Sequence, residues 1–141
     1  MSKPLVRFGD PERAVIDYYA AAYAGAIAAS APSKIDSAAP PAALSTGWWL
    51  QVELDGTPDG SGWVESPTVR VNCHTPPGKR SDAKANASLA HGLLRIHPGD
   101  DLVFGTVPLV GRSQVITDPA TKNLMVWFTF RVNLRPTPVS V

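Results

Sequence analysis

Cys73 and His74 stand side by side in VRVNCHTPPGKRSDA, and three kinds of chemistry could use that stretch. A cysteine beside a histidine could be an activated nucleophile, because the thiolate attacks and an imidazole can take the thiol proton. The same two residue types could ligate zinc. A Gly-Lys pair ahead of a helix could cradle phosphate. Each reading meets an obstacle of direction or spacing. If VRVNCH is a strand, neighbouring side chains leave opposite faces, so Cys73 and His74 do not meet as an adjacent pair. Cys73 continues the apolar row of Val69 and Val71 and reads as a small core residue.

The single cysteine and the histidines His74, His91 and His97 show none of the close paired spacings of zinc sites. His91, on an expected helix, and His97, before Pro98, read as surface or terminus residues. In PPGKRS, Cys73 occupies the place of the first glycine of a phosphate loop, and Arg80 stands where Ser or Thr should follow the lysine. Pro-Pro-Gly is therefore read as a turn. Lys79 and Arg80 become loop cations at a helix N-terminus, either solvated or touching a partner's carboxylate. The carboxylate pairs Glu53 with Asp55 and Asp100 with Asp101 fall on a polar strand face and in a Pro-Gly turn, which suits solvation. The expectation is a protein without catalytic residues, metal or cofactor, with a Cys73-dependent enzyme as the remote alternative.

The elements that position these residues follow from periodicity. Asp10 is a good N-cap, Pro11 fits the first helical position, and Ile16, Tyr19, Tyr23 and Ile27 recur at helical spacing. SAPSKIDSAAPPAALSTG, residues 30–47, is Ala/Pro/Ser-rich and reads as a long flexible arm with one short extended piece near Lys34 to Asp36. WWLQVELD alternates as a half-buried strand from Trp48 to Asp55, GTPDGSG supplies turn chemistry, and a second strand runs from Pro67 to His74. A second helix is expected from about Ser81 to Leu94, capped by Ser81 or Asp82, with Ala83, Ala87, Ala90 and Leu94 on one side. Leu102 to Val107 and Ser113 to Thr117 read as strands or one bent strand. The last strand, Leu124 to Leu134, alternates most clearly. Together these predict one α+β domain over residues 1–141, a mostly antiparallel sheet with two Ala-rich helices on one face.

Bulk properties narrow the function. A chain of 141 residues can bury a core without disulfides. With 13 Lys+Arg against 12 Asp+Glu, the net charge of +1 gives no global basic excess for gripping nucleic acid. One cysteine suits a reducing compartment, and neither a signal peptide nor a convincing membrane span is expected.

The anomaly lies on the polar side of the expected sheet, where Trp49, Met125 and Trp127 occupy positions that should be wet, with Arg131 on the same row. Either the 30–47 arm folds over them or another subunit does, since Trp, Met and Arg are enriched at interfaces. Lys79 and Arg80 are the weaker candidates for subunit contacts.

This order of features resembles the tail terminator proteins of long-tailed bacteriophages, also called tail completion or head-to-tail joining proteins. SPTVRVNCHTPPGKRSDAKANASLAHGLL is similar to that family's Pro-preceded strand, short loop and Ala-rich helix. GRSQVITDPATKNLMVWFTFRVNLRP is similar to its closing hairpin, and the DPERAV helix start and WWLQVEL strand fit the same pattern. The 30–47 arm is longer and richer in proline than that pattern has between helix and strand. The resemblance implies a structural virion protein, a homohexameric ring at the head-proximal end of the tail. Such a ring would end polymerisation of the tail-tube protein, dock the head completion or neck connector proteins, and let DNA pass without sequence-specific binding. The alternative within that setting is another neck, minor tail or tail-tube subunit.

Overall fold

The computed structural model describes residues 5–56, 65–109 and 111–140. The elements run β1 (Val6–Arg7), α1 (Pro11–Tyr23), a single 3-10 turn (Ala28–Ser30), β2 (Lys34–Asp36), β3 (Trp49–Gly56), β4 (Thr68–Thr75), α2 (Arg80–Arg95), β5 (Val103–Pro108), β6 (Ile116–Thr117), β7 (Leu124–Leu134) and β8 (Thr137–Pro138). This is an α+β fold. A six-stranded sheet has the order β2-β3-β4-β7-β5, with β6 also paired to β7, and β1 forms a separate two-stranded ribbon with β8. All pairings are antiparallel except β2 with β3. Apart from Gly56, the turn expected at GTPDGSG lies outside the described residues.

Helix α1 starts where its sequence says it should. The Asp10 carboxylate accepts from the backbone N–H of Glu12 at 2.9 Å and of Arg13 at 3.4 Å, and Pro11 sits in the first turn, where no N–H is needed. Its buried stripe is Ala14, Val15, Tyr19 and Tyr23. The expected continuation to Ile27 is corrected. The helix stops at Tyr23, and Ile27 only introduces the 3-10 turn. Gly25 explains the early stop, since glycine loses the most backbone freedom in a helix and offers no side chain to pack.

Helix α2 begins at Arg80, not Ser81, and Lys79 occupies the cap position without a side-chain bond, so neither Ser81 nor Asp82 caps it. The preceding turn sets this start. Gly78, at φ +77°, completes the Pro-Pro-Gly turn, and the Lys79 N–H donates to the Pro76 carbonyl at 3.3 Å. The helix can begin at the next residue, which leaves Asp82 inside the positive first turn.

Both helices cover one face of the sheet. Across the central strands Leu50, Cys73 and Val126 form one row, Val52, Val71 and Phe128 the next, and Val69 and Phe130 a third. These side chains are almost wholly excluded from solvent, as are Ala83, Ala87, Ala90 and Leu94 of α2. Small alanines let the helix backbone approach the large rings of β7. The Tyr19 hydroxyl donates to the Ala90 carbonyl at 2.8 Å and the Tyr18 hydroxyl to that of Leu93, tying α1 to α2.

The segment between β5 and β6 resolves the choice between two strands and one bent strand. There are two short strands on the same edge of β7, bridged by bonds from the Leu109 N–H to Thr129 and from the Ser113 N–H to Trp127. One line of chain therefore satisfies most of the outer edge of the longest strand.

Candidate interaction face

The face of the sheet turned away from the helices carries three register rows. They are Trp49, His74 and Met125, then Gln51, Asn72 and Trp127, then Glu53, Arg70 and Thr129, with Thr68 and Arg131 beyond them. The sequence therefore placed Trp49, Met125, Trp127 and Arg131 together correctly. It did not show how polar the middle of this face is.

A side-chain network runs through it. The Gln51 Oε1 accepts from Asn72 Nδ2 at 3.1 Å and lies 2.8 Å from His74 Nε2, which must then carry the proton. Asn72 Nδ2 also donates to Glu53 Oε1 at 3.0 Å, and Arg70 Nε donates to Asn72 Oδ1 at 3.2 Å. Gln51, Asn72 and His74 are buried although they face away from the helices. Buried amides of this kind hold neighbouring side chains in one arrangement, because each lost partner would leave a costly unpaired group.

The 30–47 arm provides part of the cover. Gln51 Nε2 donates to the Ser37 carbonyl at 3.2 Å. Asn123 clamps the far end of the arm, its Nδ2 donating to the Ala42 carbonyl at 3.1 Å and its Oδ1 accepting from the Leu44 N–H at 2.8 Å. Pro40 is buried between these points. Gly47 returns the chain to β3 at φ +70°, and a Cβ there would come within 2.8 Å of the Ser33 hydroxyl. Lys34 of β2 sits 4.8 Å from the Trp49 ring centre.

The arm does not close the face. Trp49, Met125 and Trp127 remain half-buried and Arg131 is exposed. Arg70 lies over Trp127 at 4.2 Å, a cation held against an aromatic ring where a partner could bury both. Lys79 and Arg80 sit elsewhere, at the start of α2. They are exposed, and the structure does not bring them to this face.

The residues first considered for chemistry are separated. Cys73 lies fully buried on the helix side, and burial pushes its thiol well above the ordinary range. His74 points the other way. Glu53 accepts from Asn72, and Asp100 accepts from the N–H groups of Leu102 and Val103, each at 2.8 Å. Among the described residues no three His, Cys, Asp or Glu side chains are grouped to hold a metal ion, and no helix is long and apolar enough to cross a membrane.

The surface placement expected of His91 and His97 is corrected, although His97 does follow the end of α2 as the alternative terminus reading has it. His91 is buried with its ring edge against Phe128 at 4.9 Å and Phe130 at 5.4 Å. The His97 ring stacks on Tyr18 at 4.2 Å, with its side chain only 2% exposed. Imidazole has an apolar body, so it packs against aromatic rings once the fold brings them near.

Burial lowers the proton affinity of His74, His91 and His97. Arg112 and Arg95 lower it further at His91, whereas Asp118 and Glu53 at His74, and Asp100 at His97, oppose the shift. An unfolded chain, whose histidines titrate near the ordinary 6.5, takes up these protons first as pH falls. The stability tied to these groups is thus whole above about pH 6.5 and is lost progressively as pH falls below it toward the folded values. Urea unfolding should show a lower midpoint at pH 5 than at pH 7.5. His91→Gln should reduce that dependence; an equal slope in the variant would mean that other groups cause it.

No protein-family model matches the sequence, and no curated protein shows significant similarity to it.

Proposed function

We propose that this chain is a structural virion protein of the tail terminator type, a homo-oligomeric, hexameric ring. In this reading the ring caps the tail tube at its head-proximal end, stops tube growth and docks the head completion or neck proteins. DNA passes through it without sequence-specific contact, so a net charge of +1 is no obstacle. The observation that supports a binding role is the half-open second face. Trp49, Met125 and Trp127 border a hydrogen-bonded network there, and Arg70, a member of that network, lies over the Trp127 ring, residue types and pre-organisation that serve protein interfaces. The tail terminator identity itself rests on the sequence resemblance.

The second reading is another neck, minor tail or tail-tube subunit. The short β2 covers only the Trp49–Gln51 end of β3, and beyond it the Leu54 N–H donates to the Glu12 carboxylate at 2.7 Å, a side-chain bond that a neighbouring strand could replace. Immunogold labelling of particles from a source lysate separates a terminator or neighbouring neck protein, expected at one spot at the head-tail junction, from a tube subunit, expected along the tail. Trp127→Ala should leave a folded protein, shown by unchanged circular dichroism, that fails to assemble in sedimentation with its tube protein. Normal assembly of that variant would remove this face from the interface.

A further inference from the structure

A cleft of about 340 Å³ lies between the first turns of α2 and the segment that joins β5 to β6. Arg80 and Lys84 line it from the helix, Arg112 and Gln114 from the segment, and Val115 and Val126 provide an apolar wall. The three cations converge there without a counter-charge. Arg13 pairs with Asp17, Lys34 with Asp36 and Arg70 with Glu53, His97 would pair with Asp100 only when protonated, and none of these involves the cleft. Arg112 is positioned by a neutral group, its Nη1 lying 3.3 Å from His91 Nδ1. Because that nitrogen accepts, the His91 proton sits on Nε2, which is buried and has no partner among the described residues. The guanidinium is thus oriented while its charge stays uncompensated. The positive end of α2 adds to the same field.

We propose that this cleft is a binding site for an oxyanion, a phosphate or carboxylate group attached to a small apolar body that rests on Val115 and Val126. Arg112 offers the planar fork that matches such groups, and Lys84 and Arg80 add point charge at the rim. This site is distinct from the second sheet face and does not depend on the assembly role. The oxyanion can come from a free small molecule or from an acidic side chain of another protein, and the test separates them.

The experiment is a titration of the ¹⁵N-labelled full chain at low salt with pyrophosphate in one arm and a short Glu-rich peptide in the other, read by amide and arginine side-chain shifts. Saturable shifts confined to residues around 80–84 and 112–115, weakened about tenfold in Arg112→Gln and in Lys84→Gln, support the site. Saturation by pyrophosphate assigns a free anion, whereas saturation by the peptide alone assigns a protein carboxylate. Both variants should keep the wild-type melting temperature, which separates lost binding from lost folding. Linear, unsaturated shifts spread over the exposed lysines and arginines would overturn the proposal, as would saturable binding that both variants retain.

Discussion

Iodoacetamide should leave Cys73 unmodified in the folded protein, at a rate about four orders of magnitude or more below that of the urea-unfolded chain. The thiol is fully buried in the row between Leu50 and Val126, and burial holds it in the neutral form. Reaction must therefore wait for opening of the core. For a domain stable by about 5–15 kcal/mol the globally open fraction is 10⁻⁴ or smaller. Mass spectrometry of the alkylated protein against time gives the rate directly. Modification at the rate of a free thiol would mean that Cys73 is reached without unfolding, and together with loss of a measurable turnover it would revive the thiol-enzyme alternative.

Phe128→Ala should be among the most damaging single substitutions in the chain. Phe128 sits in the register row with Val52 and Val71, is fully buried, and packs edge-on against His91 and Phe130. Removing such a ring costs about 3–5 kcal/mol, lost transfer energy plus the cavity left behind. For a domain of this size that lowers the melting temperature by roughly 10 °C or more. The wall that holds His91 would relax with it, and Arg112 would lose its fixed acceptor. Trp127 is the immediate neighbour but lies on the half-open face, so Trp127→Ala should cost less, about 1–2 kcal/mol. Calorimetry of the two variants checks the assignment of faces. A larger loss at Trp127 than at Phe128 would mean that the strand is turned the other way.

Much of this protein was determined by local pattern in the sequence alone. The alternation in WWLQVEL, in TVRVNCHT and in LMVWFTFRVNL sorts side chains onto two faces, and slipping by one residue would invert every one of them. Strands β3, β4 and β7, the separation of Cys73 from His74, and the clustering of Trp49, Met125, Trp127 and Arg131 follow from that sorting. The start of α1 was equally determined, because Asp10 and Pro11 act within a single turn. The short extended piece at Lys34 to Asp36 was visible as well, although its parallel pairing with β3 was not.

Tertiary structure decided what depends on partners distant in the chain. His91 is buried because Phe128 and Phe130 arrive beneath it, and His97 is covered because Tyr18 stacks on it. No spacing near either histidine encodes that. The arm lies across the sheet because Asn123 bonds Ala42 and Leu44 some 80 positions earlier, and Ala/Pro composition carries no such address. The cationic cleft forms because two segments converge, with Arg80 and Lys84 on a helix and Arg112 on the strand connection. The physical division is one of range. Periodicity, caps and turns act through neighbours a few residues apart, whereas burial of amphipathic groups and convergence of charges require the packed sheet to bring remote segments together.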